Sequence, residues 1–329
     1  MEPAELPLLG DGEPRPDLAR RWQTIWAFSR PHTVIGTSLS LLGLVVIAVL
    51  LQPAPISISF HSLVLFAATW LAALAANVYI VGLNQLTDIA LDRINKPDLP
   101  LASGAMSRQE ALRVVALSAV LALGLGVVLG VWLLATLSIS MFVGTVYSLP
   151  PLRLKRSFIW APLCISLVRG PLVNLGLGAH LLAITRFGSA GGDRGLPPGV
   201  WLLTLFMSLG ALGIGIAKDL PDIEGDRTHA IGNLAVRWGP DWALRVSTAL
   251  WTAANLATAL LGTAILPPLA AMALVLAQLF LGGILIRSAS GLQADDRAGI
   301  QAHYRLLWRL FHAEYVLVPL VVALGRWRP

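Results

Sequence analysis

Long apolar runs separated by short polar breaks organise this chain. A membrane-spanning helix needs roughly 20 predominantly apolar residues. The runs at 33–51, 60–86, 110–129, 131–149, 158–183, 199–218, 240–265, 268–287 and 303–325 come close to or exceed that length and predict nine spanning helices. The 114–149 stretch is too long for one helix and carries Gly124, Gly126 and Gly130 near its middle. It reads as two helices joined by a tight turn. Pro267 and Pro268 break the next-to-last pair in the same way. Residues 1–20 differ. They hold four prolines and five acids with no apolar core, and read as a disordered polar tail ahead of one membrane domain, 21–329. Nothing in them resembles a signal peptide, and the acids argue against an organelle transit peptide. A prokaryotic cell membrane is the expected home.

Composition sharpens the picture. Of 329 residues, 56% are hydrophobic and 13% charged, where soluble domains carry roughly 25% charged residues. Mean hydropathy is +0.73. These values exclude a disordered protein, a coiled coil and an ordinary soluble enzyme. The expected fold class is all-α, a polytopic bundle of transmembrane helices. The net charge of +6 first signals cytoplasmic loops and not nucleic acid. With nine spans and a cytoplasmic N-terminus, 19 of the 24 Lys and Arg fall on the cytoplasmic side. Arg186, Arg194, Arg326 and Arg328 fall opposite, and Arg169 lies within a span. That asymmetry supports both the helix count and the orientation. The single cysteine, Cys164, removes any disulfide framework and reads as a small buried residue.

The scarce carboxylates carry the chemistry, because ionisable groups near hydrocarbon are costly. Six of the 18 acids sit in two loops on the predicted cytoplasmic side. The first loop, after span two, places Asn84, Asp88 and Asp92 at i, i+4, i+8, one face of a helix. The second, after span six, holds Asp219, Asp222, Glu224 and Asp226. Like charges at i, i+4 destabilise a helix unless a counterion holds them. An all-oxygen donor set without His or Cys suits Mg²⁺ completed by substrate phosphate oxygens. Lys96, Arg153, Lys155, Lys218 and Arg227 lie beside these loops and are candidates to hold an anionic substrate.

These loops resemble those of the UbiA superfamily of intramembrane prenyltransferases. Five segments tighten the resemblance to its homogentisate prenyltransferase branch: 29–37 (SRPHTVIGT), 84–104 (NQLTDIALDRINKPDLPLASG), 144–156 (GTVYSLPPLRLKR), 218–227 (KDLPDIEGDR) and 308–315 (WRLFHAEY). The resemblance implies a nine-helix bundle around a central cavity. It implies a prenyl diphosphate bound tail-inward, with Mg²⁺ held by Asp88, Asp92, Asp222 and Asp226 as the catalytic carboxylates. Asn84 and Asp219 would support the metal shell; which two acids of the second loop bind metal stays open. The implied reaction transfers a prenyl group, phytyl or similar, to homogentisate with loss of CO₂, in tocopherol or prenylquinone synthesis. Membrane lipid is the remaining expected partner.

Cleavage of an allylic diphosphate leaves a cation that aromatic faces can stabilise. Tyr79, Tyr147 and Trp201 are candidates. Arg169 is the candidate partner for an acceptor carboxylate, with His32 and Arg30 behind it; its alternative is a structural Arg paired to carbonyls or to Glu314. Glu314 itself needs a partner among its apolar neighbours, first read as a structural one. The six histidines lack metal-ligand spacing. Gly176 and Gly178 read as close helix packing. Trp22, Trp26 and Trp327 read as interface anchors. Other superfamily acceptors (chlorophyllide, hydroxybenzoate, naphthoate) stay open. A transporter is the competing class, disfavoured because transporter acids sit near the bilayer midplane.

Overall fold

The computed structural model describes residues 18–50, 59–185, 195–221, 223, 233–293 and 296–325. Among the described residues there are no strands, and nine helices are long and apolar enough to cross a membrane. In chain order the elements are α1 (Leu18–Phe28), α2 (Pro31–Leu50), α3 (Phe60–Thr87), α4 (Ile89–Asn95), α5 (Arg108–Leu129), α6 (Val131–Ser148), α7 (Trp160–Thr185), α8 (Pro198–Ala217), α9 (Leu234–Trp238), α10 (Pro240–Ile265), α11 (Pro268–Ala289) and α12 (Arg297–Leu324). The nine spans are α2, α3, α5, α6, α7, α8, α10, α11 and α12, each within a few residues of its expected limits except α12, whose helix begins six residues early. α1 begins inside the expected polar tail, so residues 18–20 are helical; residues 1–17, Glu224, His229 and Trp327 lie outside the described residues.

Local chemistry sets the helix starts. Ser107 opens α5 with a capping box: its Oγ accepts from the Glu110 N–H at 3.2 Å, and Glu110 Oε2 accepts from the Ser107 N–H at 2.9 Å. Pro31, Pro198, Pro240 and Pro268 each stand at the first position of a helix, where a missing N–H costs nothing. Of the glycines between α5 and α6, Gly130 makes the turn, at φ +122°, a conformation other residues resist. Gly126 remains helical and lets the α6 backbone approach at Leu134.

Packing shows which helices are central. Two-thirds of the apolar stretch of α8 is buried, against 17% of that of α5. α8 is therefore a central post and α5 faces outward. Val128 at 79% and Leu260 at 70% exposure show that the outer faces are apolar. Such surfaces fit lipid and not water. α7 is widened between Val168 and Gly176 by Pro171, which lacks the N–H its turn requires. Gly170 and Gly176 flank that segment, and a Cβ at either would collide with Ser208 of α8 or Thr136 of α6. The widened turn is thus pressed between two helices, and Gly176 and Gly178 serve close packing as expected.

Glu314 is fully buried in α12 and accepts from Gln278 Nε2 of α11 at 3.0 and 3.1 Å. It has a structural partner, and that partner is a neutral amide and not Arg169.

Candidate active site

The ends of five spans gather at one side of the bundle and enclose a polar chamber of about 360 Å³. They are the start of α2, the C-terminal ends of α3, α6 and α8, and the first turns of α12. Asn84, Asp88, Asp92, Lys96, Arg153, Lys155, Lys218 and Asp219 all line it, so these eight expected site residues come together. Asp222, Asp226 and Arg227 lie outside the described residues.

Asp88 is the hub. The chain does not run through it as one helix: α3 ends at Thr87 and α4 restarts at Ile89, with Asp88 at φ −119°, ψ 15° between them. The Asp92 N–H still donates to the Asp88 carbonyl at 2.7 Å, so the turn keeps Asp92 near the expected face. Asp88 is buried, and Oδ1 lies 2.7 Å from Lys155 Nζ and 3.3 Å from Arg153 Nη2. The carboxamide of Asn84 donates to Oδ2 at 3.3 Å. Both cations are tied down again: Arg153 Nη2 donates to the Thr87 carbonyl at 2.9 Å, and Lys155 Nζ to Thr87 Oγ1 at 2.6 Å. Burial pushes the Lys155 ammonium below the usual lysine range, and the neighbouring Asp88 carboxylate pulls it back up. Across the chamber, Asp92 faces Arg30 Nη2 at 4.0 Å, and Lys218 Nζ holds Asp219 Oδ1 at 2.6 Å.

Two observations mark this chamber as functional. Arg30 (φ +54°) and Arg153 (φ +42°) are the non-glycine residues with left-handed backbone among those described, and both line it. That conformation costs a side-chain-bearing residue roughly 1–2 kcal/mol, a strain typical of functional sites. The charges are also unbalanced. Among the described lining residues six cations, Arg30, Lys96, Arg153, Lys155, Arg156 and Lys218, face three carboxylates, Asp88, Asp92 and Asp219. A surplus of three positive charges in a partly enclosed space attracts a highly charged anion. The donors suit a hard divalent cation too: Asp88, Asp92 and Asp219 present only oxygens, and no His or Cys lines the chamber.

Below lies a second chamber of about 270 Å³, mostly apolar, walled by α2, α3, α6, α7, α8 and α12. The two share Arg30, Asn84, Tyr147, Lys218 and Tyr304. A polar room thus opens into an apolar one, the shape of a charged head with a hydrocarbon tail.

The aromatic expectations divide. Tyr147 lines both chambers. Tyr79 lines neither: its hydroxyl pairs with Thr145 Oγ1 on α6 at 2.7 Å, which turns it into a helix–helix bond. Trp201 is half exposed on α8, also away from both. Arg169 and Cys164 line the apolar chamber. Tyr304, Trp308 and Tyr315 of α12 line it as well and were not expected. Their spacing of four and seven residues, one helix face, was the available signal.

Fold and site together define a membrane-embedded α-helical bundle with a head-and-tail pocket. A model of the UbiA prenyltransferase family matches residues 34–312. The chain is 41% identical to a homogentisate phytyltransferase of Synechocystis sp. over 304 residues, 91% of this chain and 96% of that protein. It is 36% identical to a chloroplastic homogentisate solanesyltransferase of Arabidopsis thaliana, over 92% of this chain and 77% of that protein. Its fold is similar to that of a UbiA homolog from Archaeoglobus fulgidus, solved bound to GPP and Mg²⁺, with a TM-score of 0.60, 19% identity, and coverage of 90% and 99% of the two chains. The chain belongs to the UbiA prenyltransferase family.

Proposed function

We propose that this protein is a Mg²⁺-dependent prenyltransferase that joins the prenyl group of a prenyl diphosphate to homogentisate, with loss of the acid's carboxyl as CO₂. The observation that carries the reading is the joined pair of chambers: one rich in fixed cations and carboxylates, one apolar, meeting at shared walls. The names of the relatives supply the acceptor and the tocopherol and prenylquinone context. In this reading residues 21–329 form one catalytic membrane domain. The N-terminus is cytoplasmic in a prokaryotic cell membrane, a placement supported by the 19-to-4 distribution of basic residues.

The diphosphate occupies the polar chamber and the prenyl tail enters the apolar one. Asp88, Asp92, Asp222 and Asp226 hold Mg²⁺, with Asn84 and Asp219 in support. Mg²⁺, when bound, neutralises charge that builds on the departing diphosphate. Lys155, Arg153, Lys96, Lys218 and Arg227 bind the diphosphate oxygens directly and grip them harder as the allylic C–O bond breaks and its electron pair leaves with the diphosphate. The faces of Tyr147 and Tyr304 stand where the two chambers meet, and attract the allylic cation by up to about 2 kcal/mol when water is excluded. The electron-rich acceptor ring then donates its π electrons to the allylic carbon.

The test is a membrane assay with Mg²⁺, homogentisate and prenyl diphosphates of several lengths. The expected product has the mass of prenylated homogentisate minus CO₂, and chelation of the metal abolishes it. Absence of any prenylated aromatic product overturns the reading. A milder variant probes the head-group contacts. Lys155→Met is expected to raise the KM for prenyl diphosphate roughly ten-fold or more, since it removes a charge-assisted contact in a partly buried site. An unchanged KM would place the head group elsewhere.

A further inference from the structure

Arg169 lies in the widened turn of α7, nine residues into its span and therefore roughly 13 Å from the helix start. A guanidinium at that depth is costly unless something compensates it. Among the described residues it has no ion-pair partner. The expected partner, Glu314, is held by Gln278. What Arg169 touches is aromatic: its Cζ stands 4.8 Å from the Trp308 ring centre and 6.0 Å from that of Phe311.

The surroundings form a small cradle of donors. His32 packs edge-on against Trp308 at 5.0 Å between ring centres, and His312 lies 5.6 Å from the same ring. Trp308 Nε1 and His312 Nε2 are buried and have no hydrogen-bond partner. Gly36 of α2 leaves the space between them open. A Cβ there would lie 3.0 Å from His312 Nε2 and 3.7 Å from Arg169 Nη1. Arg169, His32, Gly36 and Trp308 all line the apolar chamber. The cluster thus combines a fixed positive charge, two buried unpartnered ring nitrogens and a gap kept clear by a missing side chain. Its complement is a small planar anion carried on an apolar body.

We infer that Arg169, Trp308 and His312 form the subsite that takes the carboxylate of the aromatic acceptor, with Gly36 providing its room. This rests on the prenyltransferase reading above, and names how that site recognises an aryl acid in preference to a neutral phenol. The carboxylate and the guanidinium each offset the desolvation cost of the other, and Trp308 Nε1–H and a protonated His312 nitrogen supply further donors. The subsite lies below the diphosphate chamber, so acceptor and donor anions are held by different cations.

The test uses the full-length protein in membranes, with 4-hydroxyphenylacetate and the matching neutral alcohol, 4-hydroxyphenylethanol, as inhibitors competing with homogentisate. For the parent protein the acid is expected to inhibit roughly ten-fold more tightly than the alcohol, the size of one charge-assisted contact. Arg169→Gln is expected to bring that ratio close to one and to raise the KM for homogentisate, with the KM for prenyl diphosphate unchanged. Trp308→Phe, which keeps the ring and removes the donor, and Gly36→Ala, which narrows the gap, are expected to reduce the ratio part-way. They carry the test if Arg169→Gln does not fold. Equal inhibition by acid and alcohol in the parent protein overturns the inference, as does a ratio that persists in every variant that folds. In both cases prenyl transfer to homogentisate would still be observed. Absence of prenyl transfer in the parent protein overturns the functional reading and this inference together.

Discussion

Asp88→Ala is expected to abolish prenyl transfer, by roughly a thousandfold or more, while the protein still inserts in membranes. Two losses combine. The substitution removes a carboxylate proposed to hold Mg²⁺, and single electrostatic groups at reacting centres are worth about a hundred- to a thousandfold in rate. It also releases Lys155 and Arg153, now 2.7 and 3.3 Å from Asp88 Oδ1, from their shared anchor. Both keep bonds to Thr87, so the chamber should retain its outline. Asp88→Asn separates the two effects. It preserves volume and a polar contact for Asn84, and is expected to remain inactive. The measurement is initial rate per amount of membrane-integrated protein. Substantial activity in Asp88→Asn would remove Asp88 from the catalytic carboxylates.

Gly43→Val is expected to cause the largest loss of stability. Gly43 of α2 faces the backbone of α12, and a Cβ built on it would come 2.5 Å from the Tyr315 carbonyl oxygen. A backbone atom cannot swing aside as a flexible side chain can. Even Ala forces the helices apart, at a cost typical of overpacking, about 1–3 kcal/mol, and the branched Val exceeds it. Helix association in a bilayer relies on such close approaches. Because α2 carries Gly36 and α12 carries Trp308, separation should also weaken acceptor binding. Gly283→Ala in α11 is the control: nothing lies within 4 Å of its Cβ position, and Ala favours a helix interior by about 1 kcal/mol. Thermal unfolding in detergent should show Gly43→Val well below the parent protein and Gly283→Ala at or above it. Equal transitions for all three would show that α2 and α12 do not pack this closely.

Much of this protein was legible in its residues, for a definite reason. Hydrocarbon is an unforgiving solvent: an apolar run of about 20 residues has few alternatives to a spanning helix. The nine spans and the sidedness of the basic residues followed from that constraint. The first Asp cluster was legible through spacing, because Asn84, Asp88 and Asp92 repeat every four residues. Even the break at Asp88 did not undo it, since the Asp92 N–H still reaches the Asp88 carbonyl.

Spacing could not choose among residues that meet only in three dimensions. Tyr79 and Tyr147 look alike along the chain, but one is spent on a bond to Thr145 and the other faces both chambers. That Arg169 would find Trp308 and His312, while Glu314 took Gln278, depended on how α7, α11 and α12 rotate about their axes. The strained backbone of Arg30 and Arg153 is likewise imposed from outside, since nothing in an arginine favours a positive φ. The sequence by itself determined the class, the number of spans and the side on which the charges gather, because those depend on the transfer of each segment between water and lipid. Only the tertiary structure decided which side chains share a chamber, because that depends on contacts between helices distant in the chain.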